Sequence, residues 1–113
     1  MIKSEINLKI ELGEDKIPEK IEWYASDSPM DKPEPCSAVL LSLWDGETKQ
    51  DKNIQLWTKK MTIEEMNHFV FRNLMMVADS FERATNNTEE ATKLKDFTRE
   101  MGFRLKVLKK KTT

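Results

Sequence analysis

The chain has 113 residues, with 19 Lys and Arg against 20 Asp and Glu, for a net charge of -1 at pH 7. At about 100–200 residues per domain this predicts one domain, and the balanced charge argues against a uniformly basic nucleic-acid clamp. A single cysteine, Cys36, excludes an intramolecular disulfide and a cysteine-based zinc site, the lone His68 excludes a multi-histidine metal centre, and no run approaches the roughly 20 apolar residues of a membrane span.

Residues Met1 to Glu5 contain no apolar segment of the signal-peptide kind, so a cytoplasmic, reducing location is expected. Ile6, Leu8, Ile10 and Leu12 then alternate with Asn7, Lys9 and Glu11, which predicts a strand with one apolar side. Gly13 to Lys16 reads as a turn. Ile21, Trp23 and Ala25 alternate with Glu22 and Tyr24 in a second strand, with Pro18 at its start, where a missing amide is tolerated. Three prolines between Asp27 and Pro35 predict a loop. A third strand is expected over 37–44, with Val39, Leu41 and Leu43 on one side and Leu40, Ser42 and Trp44 on the other. A polar connection from Asp45 through Asn53 leads to a fourth strand over 54–58, where Ile54 and Leu56 oppose Gln55 and Trp57 in facing.

Thr62-Ile63-Glu64-Glu65 has the spacing of a capping box. Ile63, Met66, Val70, Leu74, Val77, Phe81 and Ala84 recur at three- and four-residue steps, the stripe of a helix of about six turns. Asn86-Asn87-Thr88 ends it, and Asn87 or Thr88 can cap a second helix, with Glu89 and Glu90 near its positive end. That helix carries Ala91, Leu94, Phe97 or Thr98, Met101, Leu105 and Leu108 as its stripe. Gly102 falls inside the pattern, at a helical cost of about 1 kcal/mol against alanine, and the sequence leaves open whether the helix passes through it. The predicted fold is α+β: a four-stranded antiparallel β-meander followed by two α-helices packed on one face. It forms a single domain over residues 1–108, with a basic tail over 109–113.

Catalytic chemistry finds little support. His68 lies between Glu64 and Arg72 at helical four-residue spacing, as on a charged helix edge. Cys36 has the acidic neighbours Glu34 and Asp31, which raise a thiol pKa. The isolated glycines form no phosphate loop, and Asp45 to Asp51 lacks the spacing of an EF-hand. No acid–base pair is placed by Asp79 and Glu82, and the terminal Lys109-Lys110-Lys111 lacks an aromatic cluster for stacking on bases. No cofactor or metal is therefore expected, and no nucleic-acid partner.

Two surfaces are less easily explained by one small core. On the first helix, Phe71, Met75 and Ala78 extend the apolar arc, and Phe69 and Met76 lie well outside it. On the sheet, if Val39, Leu41, Ile54 and Leu56 face inward, then Tyr24, Leu40, Trp44 and Trp57 face out, and Trp44 and Trp57 share a facing parity that allows pairing across a hairpin. Tyr24, Leu40, Trp44, Trp57, Phe69 and Met76 are thus the candidate interface residues, and a protein partner or a homo-oligomer is the expected cover.

Glu19 to Trp23, Leu41 to Asp45, Ile54 to Met61 and Ala78 to Thr85 together resemble, in order and spacing, the gliding motility-associated GldC family of Bacteroidetes. The segments around Trp44, Trp57 and Phe81 are the most specific. The resemblance implies a small non-enzymatic accessory factor of gliding motility, with no cofactor or catalytic residue to carry over. The order of four strands followed by two helices is also similar to that of the export chaperone SecB, which implies assembly through sheet and helix contacts and, as the alternative function, holding of unfolded export clients.

Overall fold

Strands occupy the first half of the chain and helices the second in a computed structural model that describes residues 1–109. Two units follow this division, Met1–Met61 and Thr62–Thr113. The basic run expected at the C-terminus lies, from Lys110 onward, outside the described residues.

In the first unit, β1 (Ile6–Leu12) pairs antiparallel with β2 (Pro18–Ala25), and β2 pairs antiparallel with the short β3 (Glu34–Cys36). A second ladder joins β4 (Ala38–Asp45) antiparallel to β5 (Gln50–Trp57). The expected single four-stranded meander is therefore corrected to five strands in two sheets, one of three strands and one of two. The cause lies in one extended run, 34–45. Its first residues bond to β2, its remainder bonds to β5, and Ser37 alone separates the two pairings. The carbonyl of Ser37 still accepts the amide of Thr58, at 2.9 Å, so the β5 ladder reaches back to the break. Pro35 reads as loop, yet it sits opposite Glu22 on an edge strand, where its missing amide costs no internal hydrogen bond.

The alternation of β1 and β2 sorts as expected. Ile6, Leu8, Ile10, Ile21, Trp23 and Ala25 share one face, and Asn7, Lys9, Glu11, Lys20, Glu22 and Tyr24 share the other. Ile21 lies in the middle strand, between Ile10 and Cys36, and is 1% exposed. The β1–β2 turn closes with the Gly13 amide on the Ile17 carbonyl, and Asp15 accepts the Ile17 amide at 3.1 Å. Lys59, just past β5, reaches this turn at 2.6 Å from Asp15.

The connection between β4 and β5 is shorter than the polar sequence suggests. Gln50 to Asn53 pair with Asp45 to Ser42 instead of looping. A tight turn remains, in which the Asp45 carboxylate accepts the amides of Glu47 and Thr48 at 2.9 and 3.2 Å and Lys49 takes a left-handed conformation, φ 59°.

In the second unit, α1 (Ile63–Thr85) begins at the expected capping box: Thr62 accepts the Glu65 amide at 3.1 Å, and the Glu65 carboxylate accepts the Thr62 amide at 3.3 Å. Asn86, at φ 58°, ends it. Asn87 caps α2 (Thr88–Arg104) by accepting the Glu90 amide. The second helix does pass through Gly102, but it stops at Arg104, so Leu105 and Leu108 do not continue the helical stripe as expected. Lys106 turns left-handed, and the amides of Lys106 and Val107 bond to the carbonyls of Phe103 and Gly102, which is the Schellman arrangement that satisfies a helix end.

The two helices meet along Ala78 of α1 and Ala91, Thr98 and Gly102 of α2, all buried. Small residues allow close approach on the Phe71–Ala78 side of the expected apolar arc of α1, whereas Ile63, Val77 and Phe81 of the stripe stay exposed and Met66, Val70 and Leu74 are half-buried. Of the alternatives Phe97 and Thr98, it is Thr98 that is buried and Phe97 that is exposed. Lys95 ties the pair at 2.8 Å from Asp79 and 3.5 Å from Glu82.

Three carboxylates are held below their usual pKa: Asp15 by its hydrogen bond to Lys59, Asp45 by the Glu47 and Thr48 amides, and Asp79 by Lys95. A carboxylate with a depressed folded pKa contributes stability above its unfolded pKa, about 3.9, and that contribution is lost as pH falls through the folded value. Melting temperature is expected to be flat on this account from pH 5 to 7 and to decline below about pH 4. Thermal melts of Asp45→Asn, which keeps an acceptor but does not titrate, are expected to decline less steeply in acid. An equal acid slope would remove Asp45 from the explanation.

Candidate interaction surfaces

The β4–β5 register fixes the two faces of the hairpin. One carries Ala38, Leu40, Ser42 and Trp44 from β4 beside Trp57, Gln55, Asn53 and Asp51 from β5; the other carries Val39, Leu41 and Leu43 beside Leu56, Ile54 and Lys52. Trp44 and Trp57 share a face, as their parity predicts. They do not pair across the hairpin, however, because Trp44 stands opposite Asp51 and Trp57 opposite Ala38. Six strand positions at about 3.4 Å each set them roughly 20 Å apart, at the two ends of the face. Trp44 is 66% exposed and Trp57 51%, with the exposed Leu40 between them.

The β5 half of this face carries a polar row, of which Asp51 and Asn53 are expected in the connection and Gln55 in the strand. Asn53 donates its side-chain amide to Asp51 at 3.1 Å, and Gln55 donates to Asn53 at 3.2 Å. The spacing of Asp51, Asn53 and Gln55 at every second residue was the available signal. The opposite face is apolar too, and its Leu43 and Ile54 are exposed although the sequence reading turned that side inward. Exposed apolar side chains on both sides of a two-stranded layer are more than such a layer hides by itself.

The remaining candidates lie elsewhere. Tyr24 belongs to the three-stranded sheet, half-buried on its polar face opposite Asn7, and shares no sheet with Trp44 and Trp57 as had been expected. Phe69 and Met76 lie two turns apart on α1; Phe69 is half-buried, its carbonyl accepting the Asn73 side chain at 2.7 Å, and Met76 is exposed. Met76 borders a shallow depression shared with Phe71, Arg72, Met75, Asp79 and Arg83. The six candidates are therefore distributed over the hairpin, the three-stranded sheet and α1.

Burial pushes the Cys36 thiol pKa up, away from the thiolate a nucleophile requires. Among the described residues no group of three or more His, Cys, Asp or Glu side chains is placed to hold a metal ion, and no helix is long and apolar enough to cross a membrane.

No curated protein and no solved structure matches the chain. A family model does match, over residues 18–107, a span that runs from the first residue of β2 past the end of α2 and takes in both tryptophans of the hairpin face, Ala78 and Gly102. With most of its length covered, the chain belongs to the gliding motility-associated protein GldC-like family.

Proposed function

We propose that this protein is a non-enzymatic accessory component of gliding motility that works from the cytoplasm through protein–protein contacts, with self-association among them. The observation that carries the reading is the exposed hairpin face, with Trp44 and Trp57 at its ends and Leu40 between. Tryptophans concentrate binding energy in protein interfaces, and alanine replacement of such an anchor typically costs 2 kcal/mol or more, about 30-fold in affinity. The role assigned to the family supplies the process, and the face supplies the mode of action. Met76 and Phe69 on α1 offer a second, smaller contact, and Tyr24 a third.

The test is complementation of a gliding bacterium whose own copy is deleted. Trp44→Ala/Trp57→Ala is expected to accumulate and melt close to wild type, because both side chains are exposed, yet to leave gliding unrestored. Full restoration of gliding by the double variant would overturn the reading. In a parallel assay, suppression of the aggregation of an unrelated unfolded protein at stoichiometric amounts, lost in the double variant, would assign the face to client holding of the SecB kind.

A further inference from the structure

Among the described residues β4 pairs only with β5, and its outer edge has no ladder partner, although the head of the same run, Glu34–Cys36, is bonded to β2. The Lys49 amide on the Asp45 carbonyl and the Thr58 amide on the Ser37 carbonyl mark the odd-numbered residues of this strand as those directed at β5. Successive residues alternate between edges, so the amides and carbonyls of Ala38, Leu40, Ser42 and Trp44 face away from β5. Sheet edges of this kind are normally blunted by charge, proline or a bulge. The β1 edge has Lys9, Glu11 and a register shift at Glu11/Leu12, and β5 has Asp51 and Lys52. From Ala38 to Trp44, β4 carries no charge, no proline and no shift of register.

We infer that β4 pairs, antiparallel and about a two-fold axis through Ser42, with β4 of a second copy of this chain. Self-complementarity selects the occupant. With Ser42 on the axis, Leu40 faces Trp44 of the second copy, Leu41 faces its Leu43, and the two serines face each other; apolar meets polar only at the two ends of the pairing, where Val39 faces Asp45, and no like charges meet. Centring the axis on Leu41 would set Leu40 against serine. The same two-fold pairing of β1 about its midpoint would oppose Lys9 to Lys9. A two-stranded hairpin is marginal in water, whereas the joined β5-β4-β4-β5 layer has four strands. This deepens the functional reading by naming a second copy as one partner. It uses the backbone edge, and the tryptophan face remains available on the doubled sheet.

Sedimentation of the full chain at micromolar concentration is expected to give a dimer. Ser42→Pro removes an edge amide that makes no bond to β5, and is expected to weaken dimerisation at least tenfold with the far-UV spectrum retained. Because proline can disturb the strand, a second test uses cross-linking. Two Ser42 Cα atoms in such a pair lie about 5.5 Å apart, within disulfide reach, whereas two Asn53 positions lie about three strand spacings, roughly 14 Å, apart. On a Cys36→Ser background, mild oxidation is expected to give a covalent dimer with Ser42→Cys and none with Asn53→Cys. A monomer at every concentration, growth beyond a dimer, a dimer that survives Ser42→Pro, or equal cross-linking at both positions would overturn the inference. Trp44→Ala/Trp57→Ala separates the two ideas: a variant that still dimerises but does not restore gliding sustains both, and a monomeric wild-type chain with a gliding-defective double variant removes the edge pairing alone.

Discussion

Truncating Ile21 to alanine is expected to cost about 3 kcal/mol, the largest loss of any single apolar truncation in the strand unit. Ile21 sits in the middle strand of the three-stranded sheet with Ile10 on one side and Cys36 on the other, and it is the most buried large aliphatic side chain among the described residues. Removing three buried carbons takes away their transfer free energy and leaves a void that flanking strands, held in register by backbone hydrogen bonds, close only in part. At roughly 4–8 °C per kcal/mol for a unit of about 60–100 residues, the melting temperature is expected to fall by more than about 10 °C. Ile6→Ala on the same face is the control: Ile6 is largely exposed, and its loss is expected to stay within about 0.5 kcal/mol. Urea unfolding of both variants checks the contrast, and equal losses would show that the face around Ile21 is not where the sheet draws its stability.

Enlarging Gly102 is expected to have the second large effect, with a sign opposite to helix propensity. Within a helix, Gly→Ala by itself is favourable by about 1 kcal/mol. Here a Cβ on residue 102 would lie 2.8 Å from a ring carbon of Phe71 and 3.1 Å from a methyl of Leu108, distances at which the ring and the returning C-terminal turn must both move. Over-packing of this kind costs about 1–3 kcal/mol. Gly102→Ala is therefore expected to be neutral to mildly destabilising, and Gly102→Leu to lose about 3 kcal/mol, with the helical signal falling first. Pairing Gly102→Ala with Phe71→Leu is expected to recover part of the loss, a favourable coupling that distinguishes a clash from a general weakening of α2. Stabilisation by Gly102→Ala alone would show that the ring yields without cost.

These contacts explain how far the sequence could be followed. β1, β2, the capping box at Thr62 and the Asn87 cap were legible because each is fixed by residues within a few positions of one another. Gly102 was not, because propensity argues for a stop while Phe71, thirty-one positions earlier, occupies the space a side chain would need. β3 was hidden by prolines that read as loop, and the start of β5 by four polar residues that pair without burying anything. Parity placed Trp44 and Trp57 on one face correctly. Their separation along it depends on the length of the Asp45 turn, which shifts the partner of each tryptophan with every residue added or removed. The side of α1 around Phe71 and Ala78 was legible as an extension of its apolar arc, whereas the exposure of Ile63, Val77 and Phe81 within the stripe was not.

Ser37, the single residue between β3 and β4, has a mechanical consequence. Because residues 34–45 form one nearly unbroken extended run, bonded to β2 at its beginning and to β5 along the rest, tension along that run loads the cross-strand bonds of both ladders side by side, in shear. Tension across it would open the same bonds one after another, like a zip. The chain is thus built to be stiff in one pulling direction and yielding in the other.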